Sequence, residues 1–152
     1  MYPQIELIKT IRTWLLNLIE DLSVEQMNEI PGGFNNNIIW NVAHLLAAQQ
    51  GVCYLRAGLK PAVEEKYVIE FKSDTKPGAL LVKDEIEMIK ALLFTSLDQL
   101  EIDLKDKIFI NYKSWATRYG AEMNNIEDAL NFLPFHEGLH IGYVMALKRV
   151  IK

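Results

Sequence analysis

Four stretches of the chain repeat apolar side chains at steps of three and four, and the segments between them break that rhythm with proline, glycine and asparagine. In the first stretch, roughly residues 4 to 22, the stripe is Ile8, Ile11, Leu15, Leu18 and Leu22, with Pro3 suited to a first helical turn. The second runs from about 38 to 57. Asn36 or Asn37 is placed to cap it and Gly58 to stop it. The third, about 81 to 102, carries Val82, Ile86, Ile89, Leu93, Leu97 and Leu100 on one side. The fourth, about 125 to 151, aligns Ile126, Leu130, Leu133, His140, Val144, Leu147 and Ile151. Asn124 with Glu127 reads as a capping box there, and Asn125 is an equal candidate for the cap. Helices of about 20 residues are about 30 Å long, and four such stripes bury one another in a bundle.

The connections are long for a bundle, where a few residues suffice. Each could return along the full length of the bundle, so crossover topologies stay open. Residues 23–37 contain Pro31-Gly32-Gly33 and the run Asn35-Asn36-Asn37, a loop by composition. Residues 59–79 contain Pro61 and Pro77-Gly78, with an extended stretch suggested over Lys66 to Lys72. In 103–123, Ile108, Ile110 and Tyr112 alternate as in a strand and Gly120 follows, which suggests a short hairpin or an ordered aromatic loop before the last helix. The expected fold is an all-α four-helix bundle, with residues 1–152 as a single domain, a length that supports one core.

A formal net charge of -4, with no run of basic residues beyond Lys148-Arg149, gives no footprint for nucleic acid or an anionic membrane surface. The most apolar stretch, Ile38 to Leu55, is interrupted by Asn41, His44, Gln49 and Gln50 and does not read as membrane-spanning. The start lacks the basic and apolar regions of a signal peptide, so a cytoplasmic location is expected. The single cysteine, Cys53, excludes an internal disulfide and a cysteine-only metal site.

The chemistry-bearing signal is the set of three histidines. His136 and His140 are four apart, hence one turn apart on the inward face of the last helix, and His44 lies among apolar residues of the second. Buried imidazoles need partners for their ring nitrogens. Carbonyl acceptors can supply them, and so can a metal ion; residue types leave both readings open. Three histidines with a fourth position free is the arrangement of a catalytic zinc site, and nickel, cobalt, iron or copper also accept imidazole. His136-Glu137-Gly138-Leu139-His140 also matches H-E-x-x-H. The zinc-protease reading is set aside: none of the twelve residues after His140 is His, Asp, Glu or Cys, and no sheet edge is in sight to hold a peptide. Glu137 is retained as a candidate catalytic carboxylate beside a ligand, against the alternative of a solvated or rim glutamate.

Around the histidines, Trp40 falls one turn before His44 and is a candidate pocket wall. Trp115 and Arg118 lie in the segment before the last helix, where a loop could cover the site with Arg118 facing an anionic group of a substrate. Tyr143 is three residues past His140. Gly138 and Gly142 give the last helix a small-residue face for a neighbouring helix or subunit, and Pro134 is expected to kink it.

Ile39-Trp40-Asn41-Val42-Ala43-His44-Leu45, and Asn125 to Leu130 continuing through Phe135-His136-Glu137-Gly138-Leu139-His140-Ile141-Gly142-Tyr143, resemble the helix signatures of the DinB/YfiT-like superfamily. Thr117-Arg118-Tyr119-Gly120 looks like the family's approach to its last helix. The resemblance covers essentially the whole chain. It implies a bundle whose three histidines, here His44, His136 and His140, bind nickel or zinc at the end of a cleft. It also implies a homodimer, and a small-molecule substrate handled by a metal-dependent, thiol-dependent transferase or a hydrolase. Characterised relatives include transferases using bacillithiol or mycothiol and a maleylpyruvate isomerase. Many members have no known activity, so a non-catalytic bundle that binds a small ligand or a partner is the alternative.

Overall fold

A computed structural model describes all residues, Met1–Lys152. Six α-helices and one two-stranded hairpin follow in the order α1 (Pro3–Ile19), α2 (Val24–Asn28), α3 (Ile38–Cys53), α4 (Glu65–Phe71), α5 (Lys83–Lys105), β1 (Trp115–Ala116), β2 (Glu122–Met123) and α6 (Ile126–Val150), with a 3₁₀ turn at Leu55–Ala57. The long helices α1, α3, α5 and α6 form the expected all-α bundle. Packing pairs are α1 with α5 and α6, and α3 with α5 and α6. Helices α1 and α3 therefore sit on one diagonal and α5 and α6 on the other, so two of the three connections cross the bundle.

The helix ends follow from local chemistry. The Asn37 side chain accepts from Trp40 N–H at 2.8 Å and starts α3. Gly58 adopts φ 73°, a left-handed conformation open to glycine, and ends the 3₁₀ turn that follows α3. At α6 the cap is Asn125, which accepts from Asp128 N–H at 2.9 Å. Asp128 reaches back to Asn124 N–H at 2.8 Å. Asn125 is therefore the cap, Asp128 bonds one residue further back to Asn124, and no box joins Asn124 to Glu127. Helix α6 runs through Pro134 without interruption.

Three connecting segments differ from expectation. Residues 23–37 are not all loop: Ser23 and Gln26 form a capping box that starts α2. Residues 65–71 are helical rather than extended, because Tyr67, Val68 and Phe71 share one side of a turn and bury it against α3. The hairpin lies at Trp115↔Met123 and Ala116↔Glu122, later than the alternation at Ile108 to Tyr112 suggested. Gly138 and Gly142 are exposed with nothing near where a side chain would start, so no helix of this chain uses them for close approach. No helix is long and apolar enough to cross a membrane.

The buried row of α1 is Ile5, Ile8, Arg12, Leu15 and Ile19, so a charge occupies the centre of an apolar stripe. Ile11, Leu18 and Leu22 pack at its border. The apolar interior divides into two clusters. One holds Leu15, Leu45, Leu46, Leu93, Ile141 and Val144. The other holds Ile5, Ile8, Cys53, Leu97, Leu100, Leu130 and Leu133. Between them in sequence on every long helix stands a buried polar residue: Arg12, Gln49, Ser96 and Glu137.

Candidate metal centre

His44 is carried by the middle of α3, and its ring is held from two sides. The indole of Trp40, one turn earlier, stacks on it at 4.8 Å with the planes 8° apart. Trp40 Nε1–H donates to Thr75 Oγ1 at 3.2 Å, which fixes the indole in turn. Nδ1 of His44 lies 2.6 Å from the carbonyl oxygen of Phe71, the last residue of α4. A carbonyl can only accept, so Nδ1 carries the proton and Nε2 presents a lone pair.

His140 is oriented by the same logic. Asn41 donates its amide Nδ2–H to Asn36 Oδ1 and to Asn37 O, at 3.0 and 2.8 Å. That leaves Asn41 Oδ1 to accept from His140 Nδ1–H at 2.9 Å, and Nε2 of His140 is again the free nitrogen. Ring contacts of 4.5 to 5.2 Å join the three imidazoles into one cluster.

Nε2 of His44 and Nε2 of His136 are 3.3 Å apart. One ligand nitrogen from each of His44, His136 and His140 lies within 4.8 Å of the others. Two imidazole nitrogens about 3.3–3.4 Å apart is the edge expected of a tetrahedron with metal–nitrogen bonds of 2.0–2.1 Å. His136 Nδ1 is buried and has no hydrogen-bond partner. Nδ1 lacks a partner in either tautomer; with the proton on Nδ1 the Nε2 lone pair of His136 faces that of His44, and a cation between the two Nε2 atoms removes that repulsion. Donor set and spacing fit a divalent transition metal, and the Phe71 carbonyl and Asn41 amide are the outer partners that such histidines use.

The electrostatics point the same way. Burial depresses the His44 imidazole against the opposing pull of the Phe71 carbonyl, and Arg118 lowers it further. Burial first, then the neighbouring imidazoles, push His136 down to about 3, with Arg12 and Arg118 adding to the effect. His140 is pushed down to about 4 by burial, His44 and Arg118. The imidazoles are thus neutral at physiological pH, the form that ligates.

Residues 7–144 match the family described as the DinB superfamily. The chain belongs to the DinB superfamily. No curated protein matches it. Within this DinB protein, the structure brings Trp40 onto the cluster directly. Arg118 is exposed at the hairpin turn, close enough for its charge to act on all three imidazoles. Trp115 stands further off: its indole N–H donates to Tyr112 Oη at 3.0 Å, Arg56 covers its ring, and it meets the cluster only through Phe132. Tyr143 packs edge-on against Phe34 at 5.7 Å.

Glu137 is neither solvated nor at a rim. It is 1 % exposed, and both its oxygens take hydrogen bonds from Arg12, itself fully buried. With its oxygens committed to a guanidinium, it is not free to handle protons at the imidazoles.

Sequence reasoning missed Asn41, Phe71, Phe132 and Arg12. Phe132 lies 5.9 Å from His136 and also lines a pocket of about 420 Å³ with Tyr119, Met123 and Phe135. Of these four, Arg12 had a visible signal: a lone charge in a helical row of isoleucine and leucine.

Proposed function

We propose that this DinB protein binds one divalent transition-metal ion, nickel or zinc, through Nε2 of His44, His136 and His140, and that it is a metal-dependent enzyme of the thiol-transferase or hydrolase type acting on a small molecule. The observation that carries the reading is the convergence of three ring nitrogens within 4.8 Å, two of them aimed by a carbonyl and an amide behind them. When bound, such an ion supplies Lewis acidity, which makes a thiol or water beside it more acidic near neutral pH.

The chain's own residues supply orientation and selection. Phe71 and Asn41 keep the Nδ1 protons in place, so His44 and His140 each offer an unprotonated Nε2. Trp40 closes one face of His44 to water. Arg118 has no acidic partner among the ion pairs, and no carboxylate contributes to the shifted imidazoles. We assign to Arg118 the anionic group of a substrate, which no carboxylate near the imidazoles would oppose. Phe132, beside His136, and Tyr143, three residues past His140, are assigned to the substrate's apolar part. Pairing of two copies along the open face of α6, where Gly138, Leu139 and Gly142 are exposed, belongs to the same proposal; light scattering that reads a monomer would remove it.

Metal analysis of the purified chain, before and after reconstitution with Ni²⁺ or Zn²⁺, tests the core of the reading. One ion per chain is expected, and none for His44→Ala, His136→Ala or His140→Ala. Absence of bound metal after reconstitution overturns the proposal. Conjugation assays with low-molecular-weight thiols and ester-hydrolysis assays then test the enzyme. Tight metal binding with no thiol or ester turned over, together with a small ligand that stabilises the fold, would instead identify a non-catalytic binding bundle.

A further inference from the structure

Every N–H of the buried Arg12 guanidinium has an acceptor. Nε–H faces both Glu137 oxygens at 3.2 Å. The Nη2 group donates to Glu137 Oε1 at 2.6 Å and, more weakly, to the Leu45 carbonyl at 3.4 Å. The Nη1 group donates to Gln49 Oε1 at 2.9 Å and to the Leu93 carbonyl at 2.6 Å. Gln49 continues the network, donating to Ser96 O and accepting from Ser96 Oγ. A single side chain of α1 therefore grips α3, α5 and α6.

Two of those grips fall next to candidate ligands. Leu45 follows His44 on α3, and Glu137 follows His136 on α6. Burying such a pair is not an efficient way to stabilise a bundle, since apolar replacements of similar volume are often neutral or better. What the fork adds is direction. Apolar ridges tolerate a small slide or roll of one helix on another, whereas a planar, multiply bonded guanidinium does not. The rise along a helix is about 1.5 Å per residue, so a slide of α6 by one residue would be enough to spoil a nitrogen pair at ligand spacing.

We propose that Arg12 is a positioning residue for the three-histidine cluster, its fork tying α3 and α6 together at the residues beside His44 and His136 so that the imidazoles stay converged. This inference rests on the metal reading above. Its test is Co²⁺ titration of the full chain, read by visible absorption and by affinity, on wild type and on the double variant R12M/E137M, whose buried charges are removed as a pair.

The double variant is expected to remain folded by circular dichroism. Its Co²⁺ affinity should fall about 10–100-fold, the usual effect of disturbing outer partners of metal ligands, with a changed absorption band. R12K keeps the charge and loses the fork, and is expected to shift both readouts in the same direction. Leu100→Ala, in the apolar cluster away from the histidines, should lower the urea midpoint and leave the Co²⁺ band unchanged. If wild type takes up no Co²⁺, the metal reading falls. If wild type binds, and folded R12M/E137M or R12K matches it in affinity and spectrum, Arg12 is structural only and the inference is overturned.

Discussion

At the scale of single residues, Glu137 and Arg12 carry the sharpest stability prediction. Glu137→Ala strands a buried guanidinium, and removing one partner of such a pair costs about 3–5 kcal/mol. Chemical denaturation should show that loss, and adding Arg12→Met should recover most of it. A cost for Glu137→Ala near that of an exposed substitution would mean that solvent reaches the pair. The histidines were legible in the sequence because the helix period alone puts His136 and His140 on one face. Their outer partners were not. The acceptor for His44 is a main-chain carbonyl, which any residue in place of Phe71 would also provide. Asn41 lay in the quoted motif, but its role depends on which way its amide is turned, and Asn36 and Asn37 decide that through space. The sequence sets Glu137 beside His136, whereas its partner Arg12 is 125 residues away and meets it only across the folded bundle.

At the scale of elements, the helix caps are testable one by one. Asn37 caps α3 and also donates from Nδ2 to the Asn28 carbonyl at 3.1 Å, which ties α2 to α3. Asn37→Ala should cost about 1–2 kcal/mol, the upper part of the range for an N-cap. Asn125→Ala, whose side chain serves the cap alone, should cost about 1 kcal/mol. Equal urea midpoints for the two variants would contradict the extra role of Asn37. The long helices could be read from their stripes because each repeats its pattern over several turns. The short α2 and α4 could not. Helix α4, with Tyr67, Val68 and Phe71 as its buried residues, is only about two turns long, too short to separate helix from strand by period. Burial against α3 decides their form.

At the scale of the whole molecule, protons and metal should act on folding through the same three rings. In the metal-free chain His136 and His140 are held at about 3 and about 4, below the usual imidazole value of about 6.5. The unfolded chain therefore takes up protons first as pH falls. Stability should be full above about pH 6.5, decline on the way down, and level off only once the folded rings also titrate. Urea midpoints at pH 7, 5.5 and 4.5 in the presence of chelator check this, and His136→Gln should flatten the slope. A bound ion that prefers the folded state adds about 2.7 kcal/mol when its free concentration is 100 times the dissociation constant. The thermal midpoint should accordingly drop on chelation in wild type and stay put in His44→Ala.

The contact between His44 and Phe71 reverses the usual ranking of what is expendable in such a molecule. By composition, the stretch between α3 and α5 is the natural place to trim, graft or insert. Yet the only acceptor on the inner nitrogen of His44 is supplied by the final residue of the short helix in that stretch. Shortening this strap would leave all four main helices and every histidine in the chain, and would still free one ring to spin out of register.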